Sequence, residues 1–355
     1  MKCESYIDKS ILWDITRRCN LNCTHCYNSG NKAIGQEIDI QHDYKIIVDM
    51  IGLMEIKHIH LLGGEPLMVK GLFELLNYAQ IKGIMVSINT NGTLLSKEMI
   101  EKLVKSNVAQ LTISLDGATE ETNDRIRGTG SYKKVVENIK QTTSYITQAK
   151  SNMIVQVATV ITKQNIQSIH RLPRILHSLS VQYLDVLKLY KCGNAISNDT
   201  ALQISNEDYL VALGKLMVES YRNQIFAQFD CKPKVLELLS LKYGFKANYN
   251  GSGFSSCSAG QKILFMDYKG NIYPCGPFAH EFPGSELVIN IFNDQCVQQL
   301  PGIEEGIHSR IEQYSLSGSA CKACQFNNCC SGCAICYNDY DKLCETAIRL
   351  YSVTT

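Results

Sequence analysis

Two hydrophobic periods alternate along residues 11 to about 190. Ile11–Ile15, His58–Leu62, Met85–Thr90, Leu111–Ser114, Met153–Ile161 and Tyr183–Leu189 are short β-prone runs and read as six strands. Between them the apolar residues recur at helical spacing. Asp39 is placed to cap a helix that buries Tyr44, Ile47, Val48, Ile51 and Met54. Leu72, Leu75, Leu76 and Ala79 mark the next helix, followed by Met99, Ile100, Leu103 and Val104, and then by Val135, Val136 and Ile139. A last helix is expected near residues 165–179.

Six strand–helix units in series imply a parallel sheet with right-handed crossovers. They are too few for an eight-stranded closed barrel, so the sheet is expected to stay open on one side. Side chains that do chemistry belong at the C-terminal ends of such strands. Residues 205–243 read as two helices, the first opening at Ser205 with Asp208 three positions on. The polar, glycine-rich stretch ANYNGSGFSS (247–256) marks a boundary. The expected organisation is therefore 1–204, a bridging segment 205–256, and 257–355.

Composition narrows the function classes. With 35 basic and 34 acidic residues among 355, the net charge is +1, which leaves no electrostatic footprint for nucleic acid. No apolar run has membrane-spanning length, no basic tract suggests a membrane surface, and MKCESYIDKS carries no secretory signal. The 16 cysteines, seven of them between Cys321 and Cys344, then point to metal binding in a reducing cytoplasm rather than to disulfides.

The most informative cysteines are Cys19, Cys23 and Cys26 in CNLNCTHCYN. Zinc also takes clustered thiolates, but an eight-residue loop with no local fourth ligand suits it poorly. A four-iron cubane has four corners, and three thiolates leave one open. The C-x3-C-x2-C motif resembles that of the radical S-adenosylmethionine (SAM) superfamily, whose fold is a partial (β/α)6 TIM-like barrel. There the open iron is chelated by the amino and carboxylate groups of SAM. The resemblance extends to LLGGEP at 61–66 and SLDGATEETNDRIRGTGSY at 114–132. It implies that Gly63, Gly64, Glu65 and Pro66 approach SAM, with Glu65 near its amino group. Tyr27 would pack beside the cluster or the adenine. Ser114 and Arg127, in the segment that also holds Asp116, would lie near the ribose and carboxylate. Asn91 in TNG and Asn165 in TKQN are further candidates; His58, His60 and Asp14 read as structural.

Beyond the barrel, Cys257, Gly270 and Cys275 are followed by Cys321-x2-Cys324-x5-Cys330-x2-Cys333 and Cys344. This resembles the SPASM extension, a cysteine-rich domain with two auxiliary 4Fe–4S clusters, three clusters in all. By that resemblance Cys257, Cys275 and Cys333 hold the nearer auxiliary cluster, and Cys321, Cys324, Cys330 and Cys344 the outer one. Cys329 competes with Cys330. The nearer cluster is one ligand short unless Cys336, Cys296 or a non-cysteine group completes it. Cys3, Cys192, Cys231 and Cys296 otherwise read as small buried hydrophobes.

The activity implied is reductive cleavage of SAM to a 5′-deoxyadenosyl radical that takes hydrogen from substrate, with electrons from a donor such as flavodoxin or ferredoxin. A peptide maturase is the first expectation. Modification of a small molecule in cofactor or natural-product biosynthesis is the second, and a non-catalytic iron–sulfur electron carrier is a distant third. With about ten residues before the first strand, leader-peptide recognition is expected on a separate protein.

Overall fold

The computed structural model describes residues 8–29, 36–244, 258–314 and 337–351. Its centre is one ten-stranded sheet. Strands β1 (Ser10–Thr16), β2 (His58–Gly63), β3 (Met85–Thr90), β4 (Gln110–Ser114), β5 (Ile154–Ile161), β6 (Tyr183–Lys188) and β7 (Phe226–Phe229) run parallel in sequence order. On the other edge of β1, β8 (Ile263–Met266) is also parallel, while β9 (Asn271–Tyr273) and β10 (Ile289–Asn290) continue antiparallel.

The connecting helices are α1 (Ile40–Leu53), α2 (Leu72–Ile81), α3 (Lys97–Lys105), α4 (Glu120–Arg127), α5 (Ser131–Ala149) and α6 (Leu172–Ser178). After β6 come two single turns, α7 (Asn194–Ser197) and α8 (Asp199–Leu202), then α9 (Asn206–Arg222) and α10 (Pro233–Tyr243). The later helices are α11 (Gly276–Glu281), α12 (Cys296–Tyr314) and a C-terminal helix, Tyr337–Tyr351. Among the described residues no helix is long and apolar enough to cross a membrane.

The expected strands are present to within a residue or two, and the caps behave as read. Asp39 accepts from the Gln41 amide, and Ser205 accepts from the Asp208 amide. Alternate strand positions such as Ile11, Trp13, Ile59, Leu61, Ile113, Val157 and Leu184 are buried and share one core with the apolar faces of the helices. Their neighbours face the concave side, where the polar residues of the strands collect.

Three differences stand out. Residues 205–243 are helix–strand–helix, because Phe226–Phe229 is too short to show a period and pairs with β6 through tertiary context. The segment near 165–179 is a 3-10 turn at Ile169–Arg171 and a shorter helix than expected, with Pro173 in its first turn. Strands from beyond residue 257 also extend the sheet past β1, an addition the sequence reading did not make. Cys3, Cys257, Cys321, Cys324, Cys329, Cys330, Cys333 and Cys336 lie outside the described residues.

Candidate functional site

The cysteine loop leaves the C-terminal end of β1 and is fastened from several sides. The Gly64 amide donates to Thr16 O (2.6 Å) and the Glu65 amide to Arg18 O (2.8 Å), which seats GGEP directly against the start of the loop. A Cβ on Gly64 would collide with the Arg18 carbonyl, so glycine is required by that close approach. Asn91 donates from Nδ2 to Asn20 Oδ1 (2.8 Å) and reaches Cys19 Sγ at 3.7 Å. The Leu21 amide also donates to Cys19 Sγ.

From the far side the segment after β6 clamps the same loop. The Asn194 amide donates to Cys26 O (2.8 Å), its Nδ2 donates to Cys23 O (2.9 Å), and Asn198 Nδ2 donates to Thr24 O (3.1 Å). Gly193 sits at φ +57, and a Cβ there would strike the carbonyls of Cys26 and Tyr27. The loop's carbonyls are thus spent on the fold. Its thiols are not arranged to share one ion: among the described residues no three His, Cys, Asp or Glu side chains are gathered for a single metal. A cubane takes each thiolate on a different iron and does not need them to meet at a point.

Burial pushes the Cys23 thiol up to about 12, with the neighbouring Cys26 and Cys19 adding to the effect and Arg127 opposing it. Cys19 is raised by burial as well, with Glu65 contributing. Such thiols keep their protons until a metal's charge replaces them. The donor set, its close spacing and the glycine cradle beside it fit an iron–sulfur cluster with SAM.

Beneath the loop lies a buried ion-pair network. Asp116, just past β4, accepts from Arg127 Nε (2.6 Å), from the Val160 amide (2.7 Å) and from Thr159, and stands 3.1 Å from His25 Nε2. Burial alone would raise its pKa, but Arg127 and His25 hold the carboxylate well below its usual range. Arg127 is raised in turn: burial opposes its charge, but Asp116 together with Cys23 and Cys26 more than offsets that. Arg127 therefore braces Asp116 and lends its charge to Cys23. Arg125, by contrast, pairs with Glu121 on the helix surface.

Glu65 is fully buried, accepting from Thr90 Oγ1 (2.7 Å), the Asn91 amide (2.8 Å) and the Leu67 amide (3.1 Å), and burial raises its pKa. It ties the ends of β2 and β3 together. Pro66 begins a 3-10 turn after it. Asn165 Nδ2 bridges Asp116 O and Val160 O. Ser114 closes β4 opposite Ala158.

Tyr27 connects the loop to β1 and to helix α11. Its hydroxyl donates to Asp14 Oδ1 (2.7 Å), and its ring meets His280 edge-on at 5.7 Å. His280 is in α11, which begins after Cys275. Asp14 is buried, also accepts from Asn28 Nδ2 (3.3 Å), and is pushed up to about 7 by burial, with Asp267 adding to the rise. Cys344 packs at the edge of the main core, and Cys296 is fully buried within it. Cys192 is raised to about 11 by burial and by Cys26, so it neighbours the cluster loop rather than the core.

Sequence reasoning missed His25, Gly193, Asn194 and Asn198, and set Asp14 aside. The signal available was position: CGN follows β6 at the same sheet end as the cysteines. His25 and Asp14 give no such signal, because their partners are distant in sequence.

Comparison with known proteins agrees with this geometry. Residues 13–172 match the Radical SAM superfamily. The chain is 29% identical over 335 residues to the mycofactocin maturase MftC of Mycolicibacterium smegmatis, covering 91% of this chain and 77% of that one. It is 25% identical over 331 residues to the AdoMet-dependent heme synthase of Methanosarcina barkeri, covering 91% and 90%. Among solved structures, Streptococcus suis SuiB bound to S-adenosylmethionine superposes with a TM-score of 0.68 at 17% identity, over 92% of this chain and 72% of that one.

Proposed function

We propose, on the match of residues 13–172 to the Radical SAM superfamily, that the chain cleaves SAM reductively and abstracts hydrogen from a peptide, as a peptide maturase. The observation that carries the reading is the cysteine loop pinned against Gly64, Glu65 and Asn91 at the C-terminal end of a parallel sheet. Cys19, Cys23 and Cys26 would hold a 4Fe–4S cluster, and Gly63–Pro66, Ser114, Asn91, Tyr27 and the Asp116–Arg127 pair would shape the SAM pocket around it. When bound, cluster and SAM together supply a 5′-deoxyadenosyl radical able to attack an unactivated carbon.

The protein's own share is positioning. Glu65 has both carboxylate oxygens, and Arg127 its Nε, engaged by the fold, so they fix the pocket walls with little freedom to reorganise. The clamp at 193–198 holds the loop's backbone still. Cys257, Cys275, Cys321, Cys324, Cys330, Cys333 and Cys344 are proposed to hold two auxiliary clusters, an external flavodoxin or ferredoxin to supply electrons, and a separate protein to present the leader peptide. The similarity to MftC supports the peptide reading. Modification of a tetrapyrrole is the second reading, favoured by the heme synthase, 90% of whose length is matched.

Anaerobically reconstituted protein given dithionite and SAM should release 5′-deoxyadenosine. Cys23→Ala should abolish that release, and unchanged release would refute the assignment. Crosslinking or oxidation of a peptide encoded beside the gene would separate the two substrate readings.

A further inference from the structure

The concave wall of the barrel has an unusual charge inventory. Lys188 is the only lysine or arginine in β1–β7, and it falls on the helix-facing alternation shared by Leu184 and Val186. The inward positions carry neutral polar groups and two carboxylates. His58 and His60 stack at 3.9 Å, and burial lowers the pKa of both, that of His60 to about 3, so neither is a cation near neutral pH. Thr112 and Gln110 bond to Gln156. Asp14 is satisfied by Tyr27 and Asn28.

Asp185 is the exception. It occupies the inward middle of β6, where the register sets it beside Ala158 of β5 and Gln228 of β7, and Ala158 beside Ser114 of β4. Asp185 is thus two strand spacings, about 10 Å, from Ser114 at the proposed SAM pocket, with only a methyl group between them. Among the described residues no side-chain hydrogen bond or ion pair reaches its carboxylate.

Among the described residues the one charge that acts on it makes matters worse rather than better. Asp230, whose amide donates to Val186 O (2.9 Å), adds to the burial that raises Asp185 to about 6. Independently, the Tyr209 hydroxyl lies in the field of Asp230, is 3% exposed, and has no hydrogen-bond partner among the described residues. Among the described residues no counter-charge meets this partly desolvated carboxylate, which is costly unless something else supplies the charge.

We propose that Asp185 is a specificity-determining residue that pairs with an ammonium or guanidinium group of the substrate. The chain then acts on a peptide carrying a lysine, an arginine or a free amine near the reacting carbon. A polycarboxylate such as a tetrapyrrole is repelled by the same wall. This rests on the peptide reading above.

The test uses reconstituted holoenzyme with SAM and three blocked pentapeptides, Gly-Gly-X-Gly-Gly with X as Lys, Gln or Glu, titrated by calorimetry. The Lys peptide should bind at least tenfold tighter than the Gln peptide, and the Glu peptide weakest. Asp185→Asn should level the series and Asp185→Glu should retain it, which separates lost charge from lost structure. Equal affinities in the unaltered enzyme overturn the proposal. So does a loss of SAM affinity in Asp185→Asn that matches the loss for the Lys peptide, because the carboxylate then serves SAM's own cationic groups. Tighter binding of iron coproporphyrin III than of the Lys peptide also overturns it. Release of 5′-deoxyadenosine in the same samples reports on the radical SAM reading by itself.

Discussion

Asp116, just past β4, and Asp185, in β6, belong to one sheet and its loops, yet the protein treats the two carboxylates in opposite ways. Asp116 is met by Arg127, His25, Thr159 and the Val160 amide, and its pKa falls although it is fully buried. Asp185 receives no such partner among the described residues, and its pKa rises. The first carboxylate is a strut under the cysteine loop, internally neutralised so that the loop cannot shift. The second keeps its valence open. The lesson is that the end of the sheet near β1 and β4 is built for rigidity, and the β6–β7 wall for reception.

Breaking the strut should have the largest effect. Asp116→Ala leaves the Arg127 guanidinium buried and unpaired, which should cost about 3–5 kcal/mol, read as a fall in thermal midpoint and in iron retained per chain. Because the folded pKa of Asp116 is depressed, the network's stabilisation is full above the ordinary carboxyl range and is lost as pH falls below that range and through the depressed folded value.

Asp14 should respond with the opposite sign. Its folded pKa, about 7, lies above the ordinary 3.8, so its contribution is full below 3.8 and is lost as pH rises through 7. Asp14→Asn should therefore raise stability by about 2–4 kcal/mol at pH 8 and by little at pH 4. Thermal scans at the two pH values check it, and equal shifts at both would contradict the burial argument.

Gly193→Ala probes the clamp. With φ at +57 and two carbonyls in the way of a Cβ, it should cost about 1–3 kcal/mol and reduce reconstituted iron, while Gly83→Ala, also at positive φ but with open space, should keep its iron. The smallest effect belongs to Asp185→Asn. Removing an unneutralised, partly screened charge should stabilise by about 1 kcal/mol at pH 8 and not at pH 4, the sign following from a folded pKa near 6.

Much of this was legible before any coordinates. The strands β1 to β6 and helices such as α1 and α2 carry strong periods, and the cysteine spacing and GGEP name their own chemistry. β7 was missed because Phe226–Phe229 has no pattern that survives outside its pairing with β6. The pairing of β8 with β1 was equally hidden, since register between segments so far apart in sequence leaves no local trace. Asn194, Asn198 and His25 escaped for a related reason: hydrogen bonds from side chain to distant carbonyl have no sequence period. Asp185 was read as part of a strand, and only the register that lines it up with Ser114 gives it meaning.

That pairing of β8 with β1 has a consequence for how the chain comes into being. The free rim of β1 must wait for a partner synthesised about 250 residues later. At the usual ribosomal pace of about 5–20 residues per second, the delay is roughly 12–50 s. Throughout it, an apolar strand shows bare amide and carbonyl groups beside the loop that is to receive metal, a template for unwanted pairing with other chains. Chaperone protection of the nascent chain should therefore matter most before residue 266 emerges, and iron delivery should succeed best after it.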